Sequence, residues 1–269
     1  MTTTTAPLGA SGTSHVGGPR PVSDALTMAW RNVANIRRNP QLLVFSTIQP
    51  VMFVLLFRYV FGGAIAVPGG SYVNYLMPGI FVQTVVFGAL TTAVGLADDL
   101  QKGLIDRFRS LPMARSAVLL GRTLADLLRN VFVVALMCVV GLLVGWDPDQ
   151  GVVSVLAGLL LVLAFAYSLS WLFAIVGLSV RDAETAQAAA FPIMAPLVFA
   201  SSAFVPVSSM PAWLQTFAEY QPVSVVCDAV RHLTVGGGST SDVFAALAWI
   251  VGIVAVCAPI AVRRYRRVV

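Results

Sequence analysis

Residues 152–180, VVSVLAGLLLVLAFAYSLSWLFAIVGLSV, form one long apolar run without a charged side chain. A transmembrane helix needs only about 20 such residues to cross the hydrocarbon core of a bilayer. The whole chain has the same character, because 58% of its 269 residues are hydrophobic and only 11% are charged. Soluble domains have about 45–50% apolar and about 25% charged residues. The composition therefore argues against a soluble enzyme or a nucleic-acid-binding domain and predicts an all-α integral membrane protein.

Six apolar runs have the length of a transmembrane helix. The predicted spans cover residues 41–61, 75–97, 124–145, 152–180, 186–205 and 243–262. Pro192 and Pro196 lie four residues apart in the fifth run, where they predict a kink or a locally unwound turn. Together with the segments between them, these runs predict a single membrane domain from residue 22 to residue 269.

Most of the 17 basic residues lie before the first run, between runs two and three, or after run six. Arginine and lysine concentrate on the cytoplasmic side of membrane proteins. Both termini are therefore predicted to be cytoplasmic, and the net charge of +5 is explained by orientation rather than by nucleic-acid binding. Residues 1–21 are rich in Thr, Ser and Gly and predict a disordered cytoplasmic tail rather than a signal peptide.

Two segments outside the spans have helical periodicity. Residues 22–38 place apolar side chains on one face and arginines on the other, which predicts a helix lying in the membrane interface. Residues 98–115, DDLQKGLIDRFRSLPMAR, predict a second amphipathic helix that ends before Pro112. Its apolar stripe has two possible targets, the protein's own membrane surface or a groove on a soluble partner. In the second case Phe108, between two arginines, is the natural anchor.

The stretch from residue 206 to residue 235 is predicted to lie outside the membrane. Its apolar segments are too short to span a bilayer, so they predict a re-entrant or interfacial helix pair divided at Gln221 and Pro222. Asp228, Arg231 and neighbouring charged residues have two interpretations, ordinary ion pairing at the surface or a gate for molecules leaving the membrane.

Charged residues at the start of the third span form a separate group. Arg122, Asp126 and Arg129 are spaced for i,i+4 and i,i+3 ion pairs on one helical face. They are predicted either to tie the helix together or to relay motion into span three. The two histidines are far apart and the three cysteines lack regular spacing, so no metal site is expected.

The spans supply aromatic and methionine side chains with few polar groups, which suits a hydrophobic or amphipathic substrate. Packing against lipid or within the core is the alternative for each residue taken singly. The predicted substrate pathway consists of Gln49, Phe53, Phe57, Phe81, Gln83, Phe87, Phe191, Met194 and Phe199.

Two stretches resemble a known family. Residues 95–127, GLADDLQKGLIDRFRSLPMARSAVLLGRTLADL, resemble the loop after span two of the type-2 ABC transporter permeases, particularly the branch linked to daunorubicin and doxorubicin resistance. Residues 201–233, SSAFVPVSSMPAWLQTFAEYQPVSVVCDAVRHL, resemble the family's F-x-P, M-P-x-W-L segment after span five. Gln221 departs from the pattern, because many members carry Asn there.

The resemblance implies the membrane subunit of an exporter in the bacterial cytoplasmic membrane. Two permease chains, identical or paralogous, would work with two copies of a separate ATPase subunit, which would hold Mg-ATP. The chain itself would have no catalytic residue or cofactor, and no G-x-x-x-x-G-K-[ST] motif occurs in it. The implied coupling helix, residues 99–111, and its end would contact the ATPase through Asp99, Gly103, Leu104, Ile105, Asp106, Arg107, Phe108, Arg109 and Pro112. The implied external gate consists of Pro206, Pro211, Trp213 and Pro222.

Three other functions stay open at this point. The chain could export a cell-envelope lipid or glycan precursor, or it could be a membrane-complex subunit that transports nothing. A small secondary transporter driven by protons is the third, and it would need a carboxylate within the membrane. Asp126 is the nearest candidate for that role.

Overall fold

The computed structural model describes residues 40–65, 67, 71–102 and 115–268, and these residues form helices and connections without a strand. Within these residues there are eight α-helices: α1 (Pro40–Leu55), α2 (Tyr72–Gln101), α3 (Arg115–Val144), α4 (Val152–Gly177), α5 (Ala183–Phe199), α6 (Ala212–Tyr220), α7 (Pro222–Val235) and α8 (Thr240–Val268). A π-helical segment, Leu56–Phe61, continues α1, and a 3-10 turn, Val207–Ser209, precedes α6. The predicted tail, the interfacial helix and most of the coupling helix lie outside the described residues.

Four helices of the described chain are long and apolar enough to cross a membrane. They cover Tyr72–Gln101, Leu119–Val144, Val152–Gly177 and Thr240–Arg267. The chain is therefore a multi-pass membrane protein, and these helices coincide with predicted spans two, three, four and six. Helices also occupy the positions of predicted spans one and five, but their described apolar parts are shorter, so the six-span topology stays a prediction.

The fifth helix differs from its prediction in length. The apolar run extends to Val205, whereas α5 has 17 residues and ends at Phe199. Helix α5 continues through Pro192 and Pro196 without the unwound turn that was the second possibility for them. It begins at an N-cap, because the Asp182 carboxylate accepts a hydrogen bond from the Thr185 backbone N–H at 2.7 Å.

Helix α2 lies at the centre of the fold and contacts α3, α4, α5 and α7. Its buried residues, such as Leu76, Met77 and Ile80, occur on successive positions around the helix, as expected for a helix surrounded by others. Two close approaches depend on glycine. A Cβ atom on Gly79 would lie 1.9 Å from the Ala203 carbonyl oxygen, and one on Gly177 would lie 2.5 Å from that of Ala93.

The predicted external segment contains a helix pair. Helices α6 and α7 are separated by Gln221, and Pro222 is the first residue of α7, where proline fits a helix without losing a hydrogen bond. Helix α7 packs against α2, α4 and α8 and buries residues such as Val226, Cys227 and Val230 completely. It is therefore part of the core rather than a surface appendage, while its position relative to the membrane stays a prediction.

Candidate functional site

An ion pair joins the end of α2 to the beginning of α3. The Arg122 guanidinium lies 2.6 Å from the Asp99 carboxylate, and both side chains are largely buried, with exposed fractions of 20% and 24%. Sequence spacing predicted a pair between Arg122 and Asp126, and this is wrong, because Arg122 turns across to α2 instead. Gly95 permits that path, since a Cβ atom there would lie 1.6 Å from Arg122 Nη2. The pair brackets residues 103–114, which are not described.

A second polar contact lies further along the same two helices. Asp126 accepts a hydrogen bond from the Thr92 hydroxyl at 2.6 Å, and its other oxygen lies 3.8 Å from Arg129. This i,i+3 pair was predicted from the sequence. Arg129 also donates to the Gly88 carbonyl oxygen at 2.7 Å and to the Thr91 hydroxyl. Arg122, Asp126 and Arg129 of α3 thus all contact α2, so the two helices are tied together along this face.

A cavity of about 180 Å³ opens beside this face, between α1, α2 and α3. Three residues of the predicted substrate pathway, Gln49, Gln83 and Phe87, line it, which no sequence spacing could have shown. Arg129 reaches it from the polar face just described. The complete lining is Gln49, Pro50, Gln83, Thr84, Phe87, Gly88, Leu90, Thr91, Arg129, Asn130 and Val133.

Two amide side chains of the cavity are buried and each has an atom without a partner. Gln83 and Asn130 are 1% and 2% exposed, and within the described chain Gln83 Oε1 and Asn130 Nδ2 form no hydrogen bond. Thr84 differs, because its hydroxyl donates to the Ile80 carbonyl oxygen one turn earlier. Asn130 was not among the predicted pathway residues.

An aromatic cluster contains three other predicted pathway residues. Phe57 stacks on Phe204 with ring centroids 4.4 Å apart, and Phe53 and Phe199 approach the same ring at 5.7 and 6.1 Å. Phe204 was not predicted, because it belongs to the apolar end of the fifth run, which leaves α5 and turns back across α1. The cluster therefore joins α1 to the chain that follows α5.

The remaining predicted pathway residues lie apart from both groups. Phe81 is fully buried and packs edge-on against Trp146, with ring centroids 5.2 Å apart. Met194 is also fully buried in the core, whereas Phe191 is about half exposed on α5. The structure thus divides the predicted pathway among a cavity, an aromatic cluster, the core and the outer surface of the described chain.

The connector after α5, residues 200–205, is held by side chains rather than by a helix. The Tyr72 hydroxyl donates to the Phe204 carbonyl oxygen at 3.1 Å, and the Tyr75 hydroxyl donates to that of Ser202 at 2.9 Å. These bonds come from the first turn of α2. Because they satisfy carbonyl groups inside an apolar environment, the chain can leave the helix there without a large cost.

Arg231 of α7 is the main contact of this connector. Its guanidinium donates to the Tyr75 carbonyl oxygen at 3.0 Å, to Asp228 at 2.6 Å, and to the Ser202 carbonyl oxygen. It also lies 3.7 Å from the centre of the Tyr75 ring, in a cation–π contact. Burial raises the pKa of the Asp228 carboxyl, and the Arg231 charge opposes this rise. Arg231 thus joins α7, the connector and α2.

Gln221 ties the start of α7 to the end of α5. Its side-chain nitrogen donates to the carbonyl oxygens of Leu197 and Ala200, at 2.9 and 3.2 Å. Leu197 lies in the last turn of α5 and Ala200 is its C-cap residue, and carbonyls at a helix C-terminus have no further helical N–H groups to pair with. The residue that departs from the family pattern therefore caps a helix.

The predicted gate residues lie within the helix pair α6 and α7 or in the segment just before it. Pro206 and Pro222 are half-buried, whereas Pro211 and Trp213 are exposed. Of the predicted coupling residues, Asp99 is the one described, and the others, Gly103 to Arg109 and Pro112, lie outside the described chain. The described residues contain no group of His, Cys, Asp and Glu side chains that could hold a metal ion.

Comparison with known proteins agrees with this architecture. The family model for the ABC-2 type transporter matches residues 24–234. The daunorubicin resistance ABC transporter permease protein DrrB1 of Streptomyces coeruleorubidus is 36% identical over 245 residues, which cover 91% of this chain and 87% of that protein.

Two more distant relatives are also described as transport permeases. The probable doxorubicin resistance ABC transporter permease protein DrrC of Mycobacterium tuberculosis is 27% identical over 91% of this chain and 89% of its own. The putative transport permease ycf38 of Pyropia yezoensis is 26% identical over 79% of this chain and 74% of its own. The match to the family model covers most of the chain, including both motif-bearing stretches and the helices that form the cavity. The chain belongs to the ABC-2 type transporter family.

Proposed function

We propose that this chain is the membrane subunit of an ATP-driven exporter that moves hydrophobic or amphipathic drugs or lipids out of the cytoplasm or the inner leaflet. The observation that carries the proposal is the similarity to a daunorubicin resistance permease over 91% of the chain. Four long apolar helices support a membrane subunit. A cavity with apolar walls and a few polar groups fits an amphipathic cargo better than an inorganic ion.

The energy would come from a separate ATPase subunit. Two copies of it, each holding Mg-ATP, would act beneath two permease chains in a bacterial cytoplasmic membrane, with both permease termini on the cytoplasmic side. Residues 103–112 would form the contact, with Phe108 as the anchor. The ion pair between Asp99 and Arg122 supports this arrangement, because it joins the two helices that lead into and out of that segment. A displacement of the segment would therefore act on α2 and α3 together.

The polar face between α2 and α3 offers a route from this contact to the cavity. It starts at the Asp99 pair, continues through Asp126 and Thr92, and ends at Arg129, whose side chain lines the cavity wall. Coupling needs an element with two arrangements that both sites influence. In this proposal the tied pair of α2 and α3 is that element, and its movement changes the width of the cavity.

The test is transport by the reconstituted complex. The full chain and its cognate ATPase are incorporated into vesicles, and ATP-dependent movement of daunorubicin is measured beside ATP hydrolysis. The double variant Asp106→Ala, Phe108→Ala should keep hydrolysis and lose at least about tenfold in transport, because the ATPase would no longer move the permease.

A variant outside the predicted contact controls for loss of folding. Glu219→Ala, exposed on α6, should leave both activities unchanged. Transport at the wild-type rate by a well-incorporated double variant would overturn the coupling assignment. If the wild-type complex hydrolyses ATP but moves no hydrophobic probe, the export function itself falls.

A further inference from the structure

The cavity between α1, α2 and α3 contains unused hydrogen-bonding capacity. Gln83 and Asn130 are almost completely buried there, and the Gln83 carbonyl oxygen and the Asn130 amide nitrogen lack a partner in the described chain. Buried polar groups in proteins are nearly always hydrogen-bonded, so an exception needs a reason. Each amide carries both a donor and an acceptor, so together the two groups can bind a ligand that donates and accepts hydrogen bonds.

Apart from Gln49, which is exposed, the other polar groups of the cavity are already engaged. The Thr84 hydroxyl donates to the backbone of its own helix, and Arg129 donates to Gly88 and Thr91. The charge of Arg129 is balanced by Asp126 at 3.8 Å. A ligand group in the cavity thus meets two free amides and a neutralised ion pair. This environment favours a neutral group that both donates and accepts hydrogen bonds, since a charged group would have no counter-ion.

The size of the cavity limits what it can hold. Its volume of about 180 Å³ is below the roughly 300–1,000 Å³ of pockets that enclose a drug-sized ligand. It therefore has room for one end of such a molecule. Gln49 on α1 and Thr91 on α2 are the exposed residues of the lining, so the cavity reaches the surface near both. On the α1 side, this opening lies near the exposed apolar side chains of Ile48 and Met52. The rest of the ligand would leave through this opening along an apolar surface.

We propose that this cavity is a substrate subsite for neutral amphipathic molecules and that Gln83 and Asn130 recognise a carboxamide- or hydroxyl-bearing end group. Phe87, Leu90 and Val133 form apolar walls for the ring or chain next to that group. The role as a transport subsite rests on the proposed function, whereas the binding itself does not. Water alone in the cavity is the competing explanation of the two free amides.

A matched pair of probes separates these explanations. The purified full chain in lipid nanodiscs, without ATPase or ATP, is titrated with 1-naphthamide and with 1-methylnaphthalene, which share a ring system. Uptake by empty nanodiscs is subtracted for each probe. The wild-type chain should bind the carboxamide at least about tenfold more tightly, as expected for one or two additional hydrogen bonds. Equal affinities would mean that water alone fills the cavity, and they would overturn the proposal.

Variants that keep side-chain size locate the effect. Gln83→Met and Asn130→Leu should each reduce the preference to about threefold or less, and the double variant should abolish it. Gln187→Met, an exposed position on α5, is the matched control and should keep the full preference. Full preference in the folded double variant would place the binding elsewhere and overturn the proposal. The elution volume and the thermal midpoint of each purified variant show whether it is folded. If one of the two single variants does not fold, the other single variant still tests the proposal.

The binding assay and the export assay fail independently. Absence of the carboxamide preference together with intact export would contradict the proposed subsite and leave the proposed export function standing. A carboxamide preference in a chain that exports nothing with its ATPase would contradict the proposed export function and leave the binding site standing. Reduced export of a carboxamide-bearing cargo by Asn130→Leu, at an unchanged rate of ATP hydrolysis, would join the two.

Discussion

Arg122 and Asp99 form an ion pair of 2.6 Å between α3 and α2, on either side of the segment that is proposed to contact the ATPase. The two residues are 23 positions apart in the chain, so the pair closes a loop around that segment. A force on the loop would otherwise be absorbed by bending at its ends. With the pair in place, the ends of both helices are expected to move together.

The first prediction removes this pair. Asp99→Asn keeps the size of the side chain and removes its charge, so α2 and α3 should separate more easily at this end. We expect reconstituted transport to fall about five- to tenfold with ATP hydrolysis nearly unchanged, because the proposed ATPase contact at residues 103–112 is kept but its movement is transmitted poorly. Both rates are measured on the same vesicles.

The neighbouring residue supplies the control. Asp98 forms an ion pair of the same length with Lys102, but within one helix and with side chains 37% and 62% exposed. Exposed pairs of this kind contribute little to stability. Asp98→Asn should therefore leave transport within about twofold of wild type. Equal losses in both variants would mean that charge near the ATPase matters rather than the link between the helices.

The second prediction disturbs the same ion pair by adding a methyl group at Gly95 of α2. A Cβ atom on Gly95 would collide with the Arg122 guanidinium at 1.6 Å, and the side chain of Arg122 can move away. Gly95→Ala should therefore fold, because alanine favours a helix by about 1 kcal/mol over glycine. Its transport defect should resemble that of Asp99→Asn. The double variant should be no worse than either single variant, and additive losses would show that Gly95 acts in another way.

A third prediction concerns Gly79, which lies against the backbone of Ala203 rather than against a flexible side chain. In Gly79→Ala the new methyl group would lie 1.9 Å from the Ala203 carbonyl oxygen, which is fixed in the connector after α5. Helix α2 and the connector would have to separate, and overpacking of this kind costs about 1–3 kcal/mol. Gly252→Ala in α8 is the control, because nothing lies within 4 Å of that Cβ position. Chemical denaturation in detergent should show a loss only for Gly79→Ala.

Much of the fold could be predicted from apolar runs and their boundaries. Long uncharged stretches form α2, α3, α4 and α8 near the predicted positions, and Pro222 begins α7 as proline is expected to begin a helix. The end of α5 could not be predicted in this way. Residues 200–205 belong to the same predicted run, and they can leave the helix because side chains from α2 and α7 satisfy carbonyl groups of Ser202 and Phe204. Hydropathy carries no information about such partners.

The polar face between α2 and α3 was predicted only in part. Spacing within α3 suggested that Arg122 pairs with Asp126, because i,i+4 neighbours can meet on one helix. The structure instead directs Arg122 to Asp99, through the space above Gly95. A signal for this was present in the stripe Gly88, Thr92, Gly95 and Asp99, whose spacings of four, three and four residues put small side chains on one face of α2. No sequence pattern indicated the unpaired amides of Gln83 and Asn130, because their lack of partners depends on how three helices pack together.

A fourth prediction tests Arg231. Arg231→Lys keeps the charge but cannot reach Tyr75, Asp228 and the connector at once, because the ammonium lacks the fork geometry of guanidinium. Carbonyl oxygens of Tyr75 and Ser202 would lose their charged donor, at a cost of about 2–3 kcal/mol. Arg181→Lys, at an exposed position, should cost under about 0.5 kcal/mol. A loss for Arg231→Lys no larger than that of the control would contradict the role of Arg231 as the link.

The last prediction uses a buried thiol to test the cap that Gln221 provides. Cys227 of α7 is completely buried, and burial raises its pKa to about 12, so only about one thiol in 10⁴ is ionised at pH 8. In a chain with Cys138→Ser and Cys257→Ser, N-ethylmaleimide should therefore leave Cys227 unmodified for hours, as measured by mass spectrometry. Thr216→Cys, exposed on α6, should react within minutes under the same conditions.

Replacing the cap should expose this thiol. Gln221→Ala removes the donor to Leu197 and Ala200, and the end of α5 then has two unpaired carbonyl groups beside the start of α7. Local opening of α7 should become more frequent, and labelling of Cys227 should accelerate at least about tenfold while α6 is unaffected. Gln215→Ala, which removes a side chain that bonds within its own segment, should leave Cys227 protected. Equal protection in Gln221→Ala would mean that packing alone holds α7, because the thiol reports opening whatever its cause.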